Sequence, residues 1–337
     1  MQLISAPKQL FQKRSLIKNI TLSILVPIYN ESEMLTTFHH EVCKVAASLP
    51  DENIELLYVN DGSTDDSWSL LESLKSDIVN IERINLSRNF GKEAAMTAGL
   101  DLVKGESVIL LDADLQDPPS LIPQMLAKWR EGFDVVNMKR TERLGESRFK
   151  TASAHIYYRL LAALSDVPIE KDVGDFRLLS RRVIDHIKKL PERNRYMKGI
   201  MAWPGFKQTN LEFERPERVA GETKWSFLQL VKLGLSGITS FSVKPLKIAT
   251  WLGASISMGA FLYSVFVMFK TLILGDPVAG YPSMMIVQLW LGGVQLIAIG
   301  VLGEYVGRIF VESKGRPVYL VMDSHSTKAK HQEADHG

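Results

Sequence analysis

Ser107-Val-Ile-Leu-Leu111 runs straight into Asp112-Ala-Asp114-Leu-Gln116-Asp-Pro-Pro119. A short apolar run ending at an acidic, proline-terminated bend reads as a buried strand that delivers polar residues to its carboxyl end. The pattern recurs on both sides. Leu22–Ile28, Ile54–Val59 and Asn80–Leu86 precede it and Phe133–Met138 follows, each read as a strand. Between them, Asn30-Glu-Ser-Glu33 opens a helix with capping-type residues, Gly91–Val103 is helical, and another helix follows Pro119. Alternating helices and doubly buried strands predict an α/β fold with a doubly wound, mostly parallel sheet. Ligands of such sheets bind beyond the carboxyl ends of the strands. Three polar clusters lie at those ends: Tyr29-Asn30-Glu31, Asn60-Asp61-Gly62 and Asp112–Asp117. No Gly-x-Gly-x-x-Gly follows the first strand, which argues against a dinucleotide cofactor.

The rest of the chain adds a membrane signature. The formal charge is +2 over 337 residues, so bulk charge gives no reason to expect nucleic acid. The single cysteine, Cys43, rules out an intrachain disulfide. Residues 1–20 form a basic arm with Lys8, Lys13, Arg14 and Lys18 and no acid; without a long apolar core it is not a signal peptide. Ile248–Phe269 is 22 residues without a charge and Pro277–Gly303 is 27, each long enough to cross about 30 Å of hydrocarbon. Two transmembrane helices are expected. Gln288 and Gln295 share one face of the second. Lys244 and Lys247 before the hairpin, with Arg308, Lys314 and Arg316 after it, put both termini in the cytosol. Ahead of the hairpin, Trp225, Leu228, Val231, Leu235 and Ile238 recur at helical spacing beside Lys224 and Lys232. That is an interfacial amphipathic helix or a helix packed on the soluble domain.

The acidic bend carries the chemistry. Asp112 and Asp114 can turn toward one ion, and hard oxygen ligands suit Mg²⁺ or Mn²⁺, which also bridge phosphate oxygens. Gln116 offers a neutral oxygen at the next same-side position. Asp61 can accept hydrogen bonds from a base or ribose; with Thr64 or Asp65 capping the next helix it is left free for ligand. Arg88 and Lys92 flank a helix start at Asn89-Phe-Gly91, where amide donors and cations suit a diphosphate. Arg140, Arg143 and Arg148 would meet an anionic acceptor. Asp172-Val-Gly-Asp175-Phe-Arg177 reads as a Gly-containing charged turn, and Arg215–Trp225 as a basic loop able to close over substrate. No Ser/His/Asp or Cys/His nucleophile set is apparent, and the seven histidines lack metal-ligand spacing.

Val26-Pro-Ile-Tyr-Asn-Glu31, Val59-Asn-Asp-Gly-Ser-Thr-Asp-Asp66, Ser87-Arg-Asn-Phe-Gly-Lys92 and Asp112–Pro119 together resemble family 2 glycosyltransferases of GT-A fold. More narrowly they resemble the polyprenyl-phosphate glycosyltransferases, on the bactoprenol glucosyltransferase branch rather than the soluble dolichol-phosphate mannose synthases. The resemblance runs from Leu22 to about Tyr319. It implies that Pro27, Tyr29, Glu31 and Asp61 hold uridine. Asp112, Asp114 and Gln116 would hold Mg²⁺ or Mn²⁺ and the diphosphate. Arg140 and Arg148 would grip the acceptor phosphate, and Arg218 and Lys224 would close over the donor. Asp175 would orient acceptor or sugar rather than serve as an obligate base. The Gln-x-x-Arg-Trp motif of processive synthases is absent, which argues against polymerisation.

The expected organisation is therefore a basic arm (1–20), a GT-A domain (21–215), a juxtamembrane loop and amphipathic helix (216–245), a transmembrane hairpin (246–310) and a cytosolic tail (311–337). The expected reaction is inverting transfer of a hexose, glucose from UDP-glucose, to undecaprenyl phosphate at the bacterial inner membrane, serving O-antigen or other envelope glycosylation. Rival donors are galactose, GlcNAc, mannose or an aminoarabinose derivative. A nucleotide-binding transport component or an inactive adaptor is the rival from another class. The resemblance is compatible with a homo-oligomer.

Overall fold

The computed structural model describes residues 19–141, 173–193, 195–214, 244–274 and 280–329. Residues 1–18 of the basic arm, Arg143, Arg148, Arg218, Lys224 and the expected amphipathic helix lie outside the described residues. Eight strands form one sheet: β1 (Leu22–Ile28), β2 (Ile54–Asn60), β3 (Asn80–Leu86), β4 (Ser107–Leu110), β5 (Val135–Arg140), β6 (Val173–Ser180), β7 (Gln208–Phe213) and β8 (Val321–Thr327). Their spatial order is β7-β5-β6-β4-β1-β2-β3-β8. β4, β1, β2 and β3 run parallel, as does the pair β5 and β7; β6 and β8 run antiparallel to their neighbours. The fold is α/β and GT-A-like with a mostly parallel sheet.

The alternation of side chains along the strands splits the core in two. Ile24, Val26, Leu56 and Tyr58 face α1 (Ser32–Ala47), through Leu35, Phe38 and Val42, and α4 (Ile122–Arg130), through Ile122 and Met125. Leu25, Leu57 and Val59 face α3 (Lys92–Leu102), through Ala95, Met96 and Ala98. The same layer takes α5 (Arg181–Ile187) and α6 (Met197–Ala202). Burying each large side chain contributes about 1.5–3 kcal/mol, so this two-sided core is what fixes the strand ends that carry the polar clusters. The short α2 (Ser67–Ser73) follows the Asn60–Asp66 loop.

Pro27 sits in the central strand without breaking it. The ladder between β1 and β4 ends at Leu25, paired with Leu110, and Leu111 N–H still donates to Leu25 O at 3.0 Å. Pro27 shares that side but lies past the last pair, so its missing N–H leaves nothing unbonded. At this point the chain after β4 leaves the sheet and becomes the Asp112–Asp117 bend.

One segment departs from the sequence reading. Val173–Ser180, expected to begin as a charged turn, is the antiparallel strand between β4 and β5. Phe176 and Leu178 bury on one face and Leu179 on the other. Gly174, Asp175 and Arg177 occupy the end nearest the acidic bend, where the strand trades core residues for charge.

Two long helices follow, α7 (Lys244–Leu274) and α8 (Tyr281–Ser313), packed on each other. Trp251, Phe261, Phe269, Trp290 and Leu296 are all more than half exposed along them. An exposed apolar row of this extent marks an interaction surface, for protein or for membrane. Among the described residues, Trp290–Ser313 is long and apolar enough to cross a membrane.

The end of α8 and the segment after it are tied to the sheet domain. Glu312 accepts from Arg193 N–H at 2.9 Å, and the Arg193 guanidinium donates to Arg316 O. Tyr319 Oη donates to Asp101 at 3.0 Å, and Ser87 N–H donates to Leu320 O at 2.9 Å. β8 then pairs with β3 from Ile81 to Leu86, with a register shift at Asn85 and Leu86.

Candidate active site

The loops at the carboxyl ends of β1 and β2 interlock through their own side chains. Asn30, left-handed at φ 53°, accepts from Thr64 N–H at 2.8 Å. Asn30 N–H donates to Ser63 Oγ, and Glu31 N–H to Ser67 Oγ, each at 3.0 Å. Asp65 accepts from Ser67 N–H at 3.0 Å and from Ser32 N–H at 3.2 Å, so it serves two helix starts at once. Tyr29 stays 39% exposed on the rim, which leaves its ring available to stack on a ligand.

Asp61 is not free. It is buried, and its carboxylate accepts from Phe90 N–H at 2.7 Å and Gly91 N–H at 2.9 Å. Burial pushes its carboxyl upward and the two amide bonds oppose that. The sequence reading gave this carboxylate to a ligand; it ties the loop after β3 to the end of β2. Gly62 completes the joint at φ +62°, where an added Cβ would lie 2.4 Å from Arg88 C and 2.5 Å from Asn89 N.

The acidic bend turns through Leu115, left-handed at φ 56°, while Asp114 accepts from Gln116 N–H at 3.1 Å. Asp112, at the first turn out of the sheet, meets Lys92 Nζ at 2.7 Å, and the same Nζ meets Asp175 at 2.7 Å. Three distant segments thus join at one ammonium group: the start of α3, the bend after β4 and strand β6. Burial lowers the Lys92 pKa, but the two carboxylates outweigh it and hold the amine charged. Burial likewise raises Asp175, and Lys92 and Lys198 outweigh that, holding its carboxyl well below the usual range. An acid so firmly ionised orients charge well and accepts a proton poorly.

Arg140 stands at the other side of the bend, 3.9 Å from the buried Asp117. Its guanidinium crosses Gly174, where a Cβ would lie 2.8 Å from Nη2. Arg177 donates to Gly174 O at 2.7 Å. Arg88 faces outward and stacks 4.0 Å over Phe90, its charge acting on Asp61 rather than on Asp112 and Asp175. The sequence-derived pairing of Arg88 with Lys92 is therefore split: Lys92 turns into the cluster and Arg88 turns out.

Sequence reasoning missed Asp117 as a partner for Arg140, and missed Glu93 and Lys198 altogether. Glu93 accepts from Met197 N–H at 3.1 Å and so caps α6 from α3. Only its adjacency to Lys92 could have flagged it, and nothing marked Lys198. Burial, with the like charge of Asp175, pushes Glu93 up from 4.5 to about 7. The folded protein therefore keeps a proton that the unfolded chain releases above 4.5. This contribution to stability is complete below pH 4.5 and is lost as pH rises through about 7. Glu93→Gln retains an acceptor for Met197 and removes the charge. Its thermal midpoint should exceed that of the parent at about pH 8 and draw level near pH 4.5; a constant gap at both would exclude this origin.

Among the described residues, no group of three or more His, Cys, Asp or Glu side chains is arranged to hold a metal. Asp112 and Asp114 nevertheless fit a Mg²⁺-type ion that takes one or two protein carboxylates and completes its shell with phosphate and water. A cation, the Lys92 ammonium, already lies on Asp112.

The description "Glycosyl transferase family 2" matches residues 23–188, and "GtrB C-terminal hairpin" matches residues 244–309. A relative from Synechocystis sp., named an uncharacterized glycosyltransferase, is 46% identical across 90% of this chain and 95% of its own. The bactoprenol glucosyl transferase of Shigella phage SfII is 45% identical across 90% of this chain and 98% of its own. The prophage bactoprenol glucosyl transferase homolog of Escherichia coli K12 is 43% identical across 89% and 98%.

Proposed function

Since this chain belongs to glycosyl transferase family 2 and carries the GtrB C-terminal hairpin, we infer that it transfers a glucosyl group to a polyprenyl phosphate carrier at a membrane. The observation that carries this reading is near full-length similarity to proteins named for glucosyl transfer to bactoprenol. The site fits it, with carboxylates and cations gathered where the strands end and a hairpin that keeps them beside lipid.

The donor we propose is UDP-glucose and the acceptor undecaprenyl phosphate. The uridine lies against Pro27, Tyr29 and Glu31, with Asp61 holding the wall behind it. Asp112, Asp114 and Gln116 would hold Mg²⁺ or Mn²⁺, which would offset charge on the leaving diphosphate. Arg140 and Arg148 grip the acceptor phosphate, and Arg218 and Lys224 close over the donor. An acceptor phosphate oxygen attacks the anomeric carbon as its bond to UDP breaks, inverting that centre. The phosphate is already ionised, so no residue need take a proton, in keeping with the ionised state of Asp175. α7 and α8 cross the inner membrane as a hairpin, with the catalytic domain and both termini in the cytosol. The outward-facing aromatic and aliphatic side chains of both helices support the membrane crossing, and the basic residues flanking the hairpin support the orientation.

Nucleotide sugars labelled in the hexose, offered one at a time to the full chain in detergent with undecaprenyl phosphate, test the reading. Label should enter the lipid fraction from UDP-glucose at least about tenfold faster than from UDP-galactose or UDP-GlcNAc. A faster rate from another donor replaces the sugar. Nucleotide binding without transfer from any donor would make the chain an adaptor.

A further inference from the structure

Lys92 is the first residue of α3, and a cation there is set against the positive end of the helix dipole. Carboxylates suit that position; an ammonium does not, unless something nearby repays it. Here two carboxylates do, from segments 20 and 83 residues away along the chain. The amine reaches past the helix end to bridge them, at 2.7 Å to each. Asp114 turns instead to the Gln116 amide. Only one of the two carboxylates proposed to hold the divalent ion is thus covered by the lysine.

We propose that Lys92 is a resident counter-cation for Asp112, which makes the divalent ion and the nucleotide diphosphate bind as a couple. This rests on the reading of Asp112 and Asp114 as the holders of that ion. An ion arriving alone must share Asp112 with a fixed positive charge or displace it. Displacement leaves Lys92 near the helix end with one partner fewer. A diphosphate removes the conflict, because its oxygens accept from the displaced ammonium while also ligating the ion. Asp175 keeps Lys198 as a neighbouring positive charge, so it is not stranded when Lys92 turns. Lys92 is a positioning residue in this scheme: it sets the order and tightness of assembly and takes no part in bond making. Linkage requires that UDP tighten the ion by the same factor as the ion tightens UDP.

Mn²⁺ binding, followed by electron paramagnetic resonance on the full chain in detergent, tests this without turnover. In the parent protein, Mn²⁺ alone should bind at least about tenfold more weakly than with saturating UDP. Lys92→Met should bind Mn²⁺ alone at least about tenfold more tightly than the parent and show a smaller UDP effect; some coupling survives through direct ion–diphosphate contact. Lys92→Arg, which keeps the charge, should stay within about threefold of the parent. Lys92→Gln replaces the methionine variant if that one loses its near-ultraviolet circular dichroism. Adding Asp114→Asn should remove the bound signal, fixing the ion to this site. Equal Mn²⁺ affinity in parent and Lys92→Met, or no UDP effect in the parent, overturns the proposal and leaves the metal reading standing. Absence of bound Mn²⁺ in every form, with and without UDP, overturns the metal reading itself.

Discussion

Asp114→Asn is expected to leave a folded protein whose turnover falls on the order of a thousandfold. The size follows from what a bound ion supplies to a departing diphosphate, several kcal/mol, with each 1.36 kcal/mol worth about tenfold. The folded state should tolerate the change. Asp114 bonds the Gln116 amide through one oxygen at 3.1 Å, and an asparagine carbonyl accepts in the same place. The left-handed turn at Leu115 is thereby kept. Transfer of labelled glucose to undecaprenyl phosphate measures the loss, and the thermal midpoint in detergent should move by no more than a surface change does. Activity within about tenfold of the parent, with Mg²⁺ or Mn²⁺ present, would remove the metal from this bend.

Gly62→Ala should act on the same site from the other side and at a higher cost to the fold. The residue is held at φ +62°, where an L side chain costs roughly 1–2 kcal/mol. Its new methyl would also overlap backbone, 2.4 Å from Arg88 C, and backbone cannot swing aside as a side-chain tip can. The loops after β2 and β3 must part, and the two amide bonds to Asp61 part with them. A thermal midpoint lower by at least about 4 °C is expected, at roughly 2–4 °C per kcal/mol for a domain this size. UDP affinity should fall at least about tenfold, because the loop that is displaced leads into Lys92. An unchanged midpoint with unchanged UDP binding would show that the joint can relax.

The strands that open the sheet were legible because each is buried on both faces. Leu22–Ile28 begins and ends where its apolar run does, and Asn80–Leu86 has the bounds expected of it. The fifth strand is shifted two residues toward its carboxyl end, to Val135–Arg140, because polar Lys139 and Arg140 pair as well as apolar residues do. β7 and β8 escaped detection for a related reason. Gln208–Phe213 and Val321–Thr327 are edge strands, largely polar, and only Leu211 and Phe213 alternate as strand residues should. β6 was obscured by Gly174 and by the charged Asp175 and Arg177, residues that a central strand seldom carries away from a site. Within the site, the acidic bend and the loops feeding it were legible as strand-end motifs. What each charge faces was not. Lys92 reads as a phosphate ligand in sequence, and only the fold brings Asp112 and Asp175 to it. Glu93 and Lys198 meet their partners by packing of α3 against α6, which leaves no local trace.

The closing strand also bears on how the protein is made. β3 emerges from the ribosome early, but its partner β8 comes roughly 235 residues later, after both long helices. At about 5–20 residues per second, that edge stays open on the order of 10–50 s. An unpaired edge is a template for association with other chains. Nascent chains that stall before Val321 should therefore be more prone to aggregate and to proteolysis than complete ones. Completion of the sheet then reports that the hairpin has already been synthesised, so in biogenesis the last strand works as a latch on an otherwise finished enzyme.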